Sequence, residues 1–372
     1  MSSSGPQLLR VMIAGGGTGG HIFPAIAIAQ AVRERDPEAR FLFVGADGKM
    51  EMTKVPAAGF AIEGLPIRGF QRGSLVKNIG LPLRLLRSMI KARALVKSFK
   101  PHVAVGVGGY ASGPVLDAAQ RMGVPTLIQE QNSWPGKTNI HLAKRANRIC
   151  VAYAGMEKFF PKDRILLTGN PVRTDTVKLT GKKPRGLEHF ALREDAPILF
   201  ITGGSLGARG VNRGVEAALP LWKKEGIQVI WQTGSPYFKQ ASEAVARLGY
   251  AECKVHEFVD RMDLAYACAD LVVARAGAIS ISELCIVAKP AILVPLPTAA
   301  EDHQTHNARA LTDRGAAVLL RDAEAPEQLG AKAIELLRDE RALERLQLAI
   351  AGLANPDAAQ AIAAEVIRLA RN

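Results

Sequence analysis

Short apolar runs broken by glycine alternate along this chain with longer stretches whose apolar residues recur every three or four positions. The first run, Val11-Met12-Ile13-Ala14, ends in Gly15-Gly16-Gly17-Thr18-Gly19-Gly20-His21. Ile22, Ala25, Ile26, Ala29 and Val32 then follow at helical spacing. An apolar run bounded by breakers marks a buried strand, and the three-four period marks a helix. The opening therefore predicts strand, tight loop and helix N-terminus.

The alternation continues. Asp36-Pro37 ends the first helix, and a strand is predicted at Arg40–Val44. Gly45 to Gly80 reads as loops with one short strand near Ala61–Pro66. A helix covers Leu81–Phe99, stopped by Pro101. The strand His102–Val107 then runs into a second glycine loop, Gly106–Pro114, and another helix. Strands at Pro125–Gln129, Arg148–Ala152 and Ile165–Leu167 complete this half. Thr174 to Ala196, polar and rich in breakers, reads as a linker or hinge. The pattern then restarts with Pro197–Thr202 feeding Gly203-Gly204-Ser205-Leu206-Gly207-Ala208 and a helix. Val229–Gln232, Cys253–Phe258, Leu271–Ala274 and Ala291–Pro295 supply further strands. The expectation is α/β, with two Rossmann-like doubly wound parallel domains and a ligand cleft between them.

Composition narrows the class. A length of 372 residues allows two or three domains, and 48% hydrophobic with 22% charged residues fits an ordinary globular chain. No apolar run approaches the roughly 18 residues of a membrane span, and no secretory segment is expected. Cys150, Cys253, Cys268 and Cys285 are widely spaced, which suggests reduced thiols rather than disulfides or a zinc site. The formal net charge of +13 stands out. From Gly64 to Leu116 there is no acidic residue, yet Arg68, Arg72, Lys77, Arg84, Arg87, Lys91, Arg93, Lys97 and Lys100 all fall there. Leucines and other apolar residues interleave them at helical spacing. That suits an anionic membrane surface, although an ordinary amphipathic helix with a basic solvent face has the same pattern. Aromatic residues for base stacking are scarce, at 5%, which counts against single-stranded nucleic acid, and no nucleic-acid partner is expected.

Candidate chemistry gathers at the strand ends. A glycine loop opening a helix suits an anion, because glycine lets the backbone approach and the first N–H groups point outward. His21, directly after the glycines, is the candidate base. The helix dipole at that position favours the neutral ring that can accept a proton. Gly15, Gly17 and Gly20 also fit G-x-G-x-x-G, but the acidic residue that a dinucleotide site wants arrives late, as Asp47. Ser280-x-x-Glu283 is either a functional pair or a capping box. His303 and His306 lie three apart, and no third metal ligand is evident. The chain has no Asp-x-Asp, so a diphosphate must be met by backbone N–H groups, helix dipoles and basic side chains.

Seven motifs in fixed order give the chain its resemblance, over nearly its whole length, to the MurG family of N-acetylglucosaminyltransferases. They are Gly16-Gly17-Thr18-Gly19-Gly20-His21, Gly108-Gly109-Tyr110-x-Ser112-Gly113, Glu130-Gln131-Asn132, Gly169-Asn170-Pro171-Val172-Arg173, Gly203-Gly204-Ser205-x-Gly207-Ala208, Gly277-Ala278-x-Ser280-x-x-Glu283 and Asp302-His303-Gln304-x-x-Asn307-Ala308. The resemblance implies a GT-B arrangement and an inverting, metal-independent transfer of GlcNAc from UDP-GlcNAc to lipid I, forming lipid II. No cofactor is implied. It places Glu283 on the ribose, the backbone at Val259 on the uracil, and Ser205 with Ala278, Ile279 and Ser280 on the diphosphate. Gln304 would hold the sugar hydroxyls, and Thr18, Gly19, Gly20, Asn132 and Arg173 match further donor-contacting positions. Gly16, Gly17, Gly108, Gly109, Tyr110 and Ser112 would take the acceptor pyrophosphate, while Arg84, Arg87 and Lys91 would face the membrane. The implied domains are 1–175 for the acceptor and membrane, 176–352 for UDP-GlcNAc, and 353–372 as a helix returning to the first. The implied location is peripheral, on the cytoplasmic face of the inner membrane. A UDP-GlcNAc 2-epimerase shares the layout, but the basic apolar segment argues against a purely soluble substrate.

Overall fold

The computed structural model describes residues 8–68, 80–204 and 206–372; Arg72, Lys77 and Ser205 lie outside these. The chain divides into two compact units, Met1–Val172 with Pro356–Asn372, and Arg173–Asn355.

The first unit alternates β1 (Arg10–Ala14), α1 (Gly19–Arg35), β2 (Arg40–Ala46), α2 (Glu51–Ala57), β3 (Ile62–Leu65), α3 (Leu81–Phe99), β4 (Val103–Gly106), α4 (Ser112–Arg121), β5 (Thr126–Glu130), α5 (Lys137–Ala143), β6 (Arg148–Val151) and β7 (Ile165–Leu167). Among the described residues its sheet has the order β3-β2-β1-β4-β5-β6-β7, with every pairing parallel. The sheet is buried on both faces, so its strands read as continuous apolar runs rather than alternating ones. Val11 and Ile13 pack on one face, Met12 and Ala14 on the other.

The second unit runs α6 (Thr174–Val177), α7 (Lys183–His189), β8 (Ile198–Thr202), α8 (Arg209–Lys224), β9 (Gln228–Gln232), α9 (Ser235–Leu248), β10 (Cys253–His256), α10 (Met262–Cys268), β11 (Leu271–Ala274), α11 (Ala278–Val287), β12 (Ala291–Leu293), α12 (His303–Thr312), β13 (Val318–Leu319), α13 (Ala325–Arg338) and α14 (Glu340–Ala351). Its parallel sheet has the order β10-β9-β8-β11-β12-β13. The last helix, α15 (Ala358–Arg371), belongs to the first unit: Ile362, Ala363, Val366 and Leu369 join the core that α1 and β1 line. Glu365 anchors it, accepting from Arg148 at 2.6 Å and from both Arg368 nitrogens.

Three local expectations are corrected. The stretch after Gly45 contains a helix, α2, whose seven residues include Pro56 and bury only Glu51 and Val55, too few to show a period. Thr174–Ala196 is not a bare linker. It carries α6 and α7, and Gly186 lies so tightly against Leu264 and Cys268 that a Cβ would come within 2.4 Å of the Cys268 sulfur. The two-residue strand β13 was not expected.

Candidate functional site

In doubly wound sheets ligands gather where the strand order reverses, outside the C-terminal strand ends. In the first unit that point lies between β1 and β4, and the two glycine loops leave those strands side by side. Gly109 has φ +82°, and a Cβ there would stand 2.2 Å from the Gly16 carbonyl oxygen. Only glycine allows that approach.

His21 occupies the first turn of α1, after the N-cap Thr18. Its Nδ1 lies 3.1 Å from the Gly16 carbonyl oxygen and 3.3 Å from Thr18 Oγ1. A carbonyl only accepts, so Nδ1 carries the proton. In the neutral ring Nε2 is then the acceptor. That edge lies over Gly108, where a Cβ would come within 2.8 Å of Nε2.

Glu51, which sequence reasoning missed, is 1% exposed and sits beneath this loop. It accepts from the Gly17 N–H at 2.9 Å and from the Ala46 N–H at 3.0 Å. The Gly17 N–H, expected to face an acceptor pyrophosphate, is therefore directed at an internal carboxyl. Ser112 departs from expectation too. Its buried hydroxyl lies 2.7 Å from the Ala14 carbonyl and 2.9 Å from that of Gly108, tying β1 to the second loop rather than facing a ligand. Tyr110, in contrast, is exposed. Asn132 is organised by Glu130, which accepts from its backbone and side-chain nitrogens and from Asn139 Nδ2 at 2.8 Å. Burial pushes the Glu130 carboxyl up, against the opposing pull of these donors.

In the second unit the order reverses between β8 and β11, and the loops after them are 203–208 and 275–277. The helix after β11 begins at Ala278 with Gly277 as N-cap, so Ser280 lies inside the first turn and the capping box does not form. The first turn, Ala278, Ile279 and Ser280, presents the positive end of a ten-residue helix. One turn on, Glu283 accepts from the Tyr266 hydroxyl at 3.1 Å. Burial pushes its carboxyl up to about 7, while the Tyr266 hydrogen bond and the Arg173 charge pull it down and Asp175 adds to the rise. Arg173 is thereby brought to Glu283 within one unit, as the N-cap of α6. The Val259 N–H is held by Gln232 Oε1 at 2.9 Å, so of its backbone groups the carbonyl is the one left to a base. Gln304 Oε1 takes the Leu296 N–H at 2.9 Å. Just before it, Glu301 and Asp302 adopt left-handed backbone at φ 52° and 51°, costly for residues with a Cβ and common where a loop is shaped for a ligand.

Helix α3 buries only Ser88, Ala92 and Val96. Leu83, Leu85, Leu86, Met89 and Ile90 are exposed, Leu86 by 55% and Ile90 by 63%, beside the exposed Arg84 and Arg87. Lys91 pairs with Glu63 at 3.4 Å. No helix among the described residues is long and apolar enough to cross a membrane. No three His, Cys, Asp or Glu side chains come together among them either.

Comparison with known proteins extends this picture. The glycosyltransferase family 28 N-terminal domain matches residues 11–151 and the family 28 C-terminal domain residues 198–362. A Bacteroides thetaiotaomicron protein is 54% identical over 97% of this chain and 98% of its own length. One from Phocaeicola vulgatus is 52% identical over 97% and 96%. Both are named UDP-N-acetylglucosamine--N-acetylmuramyl-(pentapeptide) pyrophosphoryl-undecaprenol N-acetylglucosamine transferase. The crystal structure of Acinetobacter baumannii MurG superposes with a TM-score of 0.77 at 28% identity, covering 97% of this chain and 99% of that one.

Proposed function

The chain belongs to the MurG family of family 28 glycosyltransferases, with the GT-B fold, and from that premise we infer how its residues carry the reaction. It moves GlcNAc from UDP-GlcNAc to the C4 hydroxyl of MurNAc in lipid I, giving lipid II. The dinucleotide and epimerase readings fall away with the family.

Glu283 accepts the two ribose hydroxyls, and the Val259 carbonyl accepts the uracil N3–H. Ser205 and the first turn of α11, at Ala278, Ile279 and Ser280, meet the diphosphate, whose charge the helix dipole favours. Gln304, its oxygen already bonded to Leu296, turns its Nε2 to the sugar hydroxyls. Thr18, Gly19, Gly20, Asn132 and Arg173 complete the donor contacts. Gly16, Gly108, Gly109 and Tyr110 line the acceptor pyrophosphate.

Chemistry proceeds by inversion. The MurNAc C4 oxygen bonds to GlcNAc C1 as the bond from C1 to the phosphate oxygen breaks. The hydroxyl proton passes to His21 Nε2, and UDP leaves with the electron pair. Charge growing on the β-phosphate is stabilised by the N-terminal end of α11. The observation that carries this assignment is the His21 tautomer, held at Nδ1 by Gly16 with Nε2 as acceptor.

The acceptor is lipid-linked, and α3 offers exposed apolar residues beside Arg84, Arg87 and Lys91. We therefore place the enzyme peripherally on the anionic cytoplasmic leaflet.

The test is transfer of labelled GlcNAc from UDP-GlcNAc to a lipid I analogue. His21→Ala is expected to lower kcat by roughly 10²–10⁴-fold with little change in donor KM, and His21→Asn to do no better. Recovery of most of the rate by His21→Asn would reduce His21 to a residue that orients the acceptor.

A further inference from the structure

Gly16 C=O and Gly17 N–H belong to one peptide unit. Its carbonyl faces His21 Nδ1 at 3.1 Å, and its N–H faces Glu51 Oε2 at 2.9 Å. We propose that Glu51 is the positioning residue of the catalytic histidine, acting through that single peptide plane to fix the ring with Nε2 toward the incoming hydroxyl.

Three observations support this. First, the site is built for the carboxyl: a Cβ at Gly16 would lie 2.2 Å from Glu51 Oε1, and one at Gly45 2.5 Å from its Cγ. Two glycines make the room. Second, Glu51 is buried with backbone N–H groups as its hydrogen-bond partners, and among the described residues it forms no ion pair with lysine or arginine. Burying a carboxyl without a cation is costly, and an apolar residue at the start of α2 would avoid that cost. Third, the held plane has little stiffness of its own. Gly16 at φ +146° and Gly17 at φ +89° flank it, and glycine tolerates either orientation of the peptide between them.

Physically, Glu51 does two things. It blocks rotation of the plane, which would turn the carbonyl away from Nδ1 and an N–H toward it. It also polarises the peptide, since accepting at the N–H draws electron density onto the oxygen and strengthens its hold on the Nδ1 proton. The second Glu51 oxygen, on Ala46 at the end of β2, keeps the carboxyl from following the loop if the loop shifts. The logic is that of a carboxylate orienting a histidine in a hydrolase triad, with a peptide unit inserted between them.

This inference rests on His21 as the base, so the experiment separates the two. Kinetics on the lipid I analogue are compared for wild type, Glu51→Gln, His21→Ala and the double variant. The His21 ring is read by ¹⁵N-imidazole NMR of the full chain. Glu51→Gln offers only one acceptor oxygen to two N–H groups, so kcat is expected to fall about 10–100-fold, as for other orienting partners, with donor KM within about twofold. In the His21→Ala background the same substitution is expected to change kcat by less than about twofold, because the two residues act as one unit. Wild-type His21 is expected as the Nδ1–H tautomer, and Glu51→Gln to mix the tautomers. Equal kcat losses in both backgrounds, or a parallel rise in donor KM, would overturn the proposal and leave Glu51 a structural residue. An Nε2–H tautomer in wild type would overturn it even if no Glu51 variant folds. Failure of the base assignment shows separately, as an active His21→Asn.

Discussion

Glu283, proposed above as the ribose ligand, is a titrating group, which makes the pH dependence of donor binding a sharp test. A carboxyl accepts hydroxyl hydrogens fully only as a carboxylate, yet burial pushes Glu283 up to about 7. The donor selects the ionised form, so affinity for UDP-GlcNAc should rise with pH and level off above about 7, changing about tenfold per pH unit below that value. The pyrophosphate diester of the donor does not titrate in this range. The perturbation is Tyr266→Phe, which removes the hydroxyl donating to Oε2 at 3.1 Å and keeps the ring stacked edge-on against Phe200. A hydrogen bond to a charged group contributes roughly 1.5–3 kcal/mol, and the lower end of that range corresponds to about one pH unit upward. At pH 7.5 the variant should therefore bind about threefold more weakly than wild type, and at pH 8.5 almost equally. Isothermal titration without acceptor measures this, and buffers of different ionisation heat report the proton released. For folding stability the sign reverses. The folded value lies above the ordinary 4.5, so unit two loses stability as pH rises from there to about 7. Donor affinity that is flat from pH 5.5 to 8, or a Tyr266→Phe profile superimposable on wild type, would refute this reasoning.

Other outcomes follow from neighbouring features. Charge reversal at Arg84, Arg87 and Lys91 should cut sedimentation with anionic vesicles, by about 1 kcal/mol per charge near the surface, and spare activity on a short soluble acceptor. Lys91 should contribute least, since Glu63 already offsets it. Gly109→Ala forces a Cβ into the Gly16 carbonyl at positive φ, and kcat should drop by at least about tenfold, because the displaced carbonyl is the one holding His21. Glu365→Gln should destabilise the first unit by about 1–2 kcal/mol at neutral pH, seen by chemical denaturation. The Arg368 hydrogen bond, with help from Arg148, holds that carboxyl below its ordinary 4.5 despite burial. Its stabilisation is thus present above 4.5 and lost as pH falls through the lower folded value, where variant and wild type should converge.

What was legible in the sequence was what repeats over distance. The three-four period of Leu81–Phe99 marks a helix with those same ends, and apolar runs such as Ile165–Leu167 and Leu271–Ala274 are strands as read. Less legible were features decided by a partner far away. Glu51 looks like an ordinary acid in a helix first turn, and its meaning lies in an N–H 34 residues earlier. Ser112 resembles a loop hydroxyl until the carbonyl of Ala14, 98 residues away, is placed beside it. The Ser280-x-x-Glu283 spacing does suit a capping box, but Gly277 takes the cap because the chain leaves β11 extended there. Helices α6 and α7 escape a periodicity reading because they are short and their packing uses glycine, as at Gly186.

Because α15 closes the core around α1, the first unit is interrupted in sequence by the whole of the second. During synthesis the ribosome releases the 183 residues of Arg173–Asn355 before the segment that finishes the earlier unit emerges. The second unit is thus an uninterrupted insert able to mature alone, while the first waits with the apolar surface meant for Ile362, Val366 and Leu369 uncovered. Loss of Pro356–Asn372 would for that reason injure the half of the molecule encoded first.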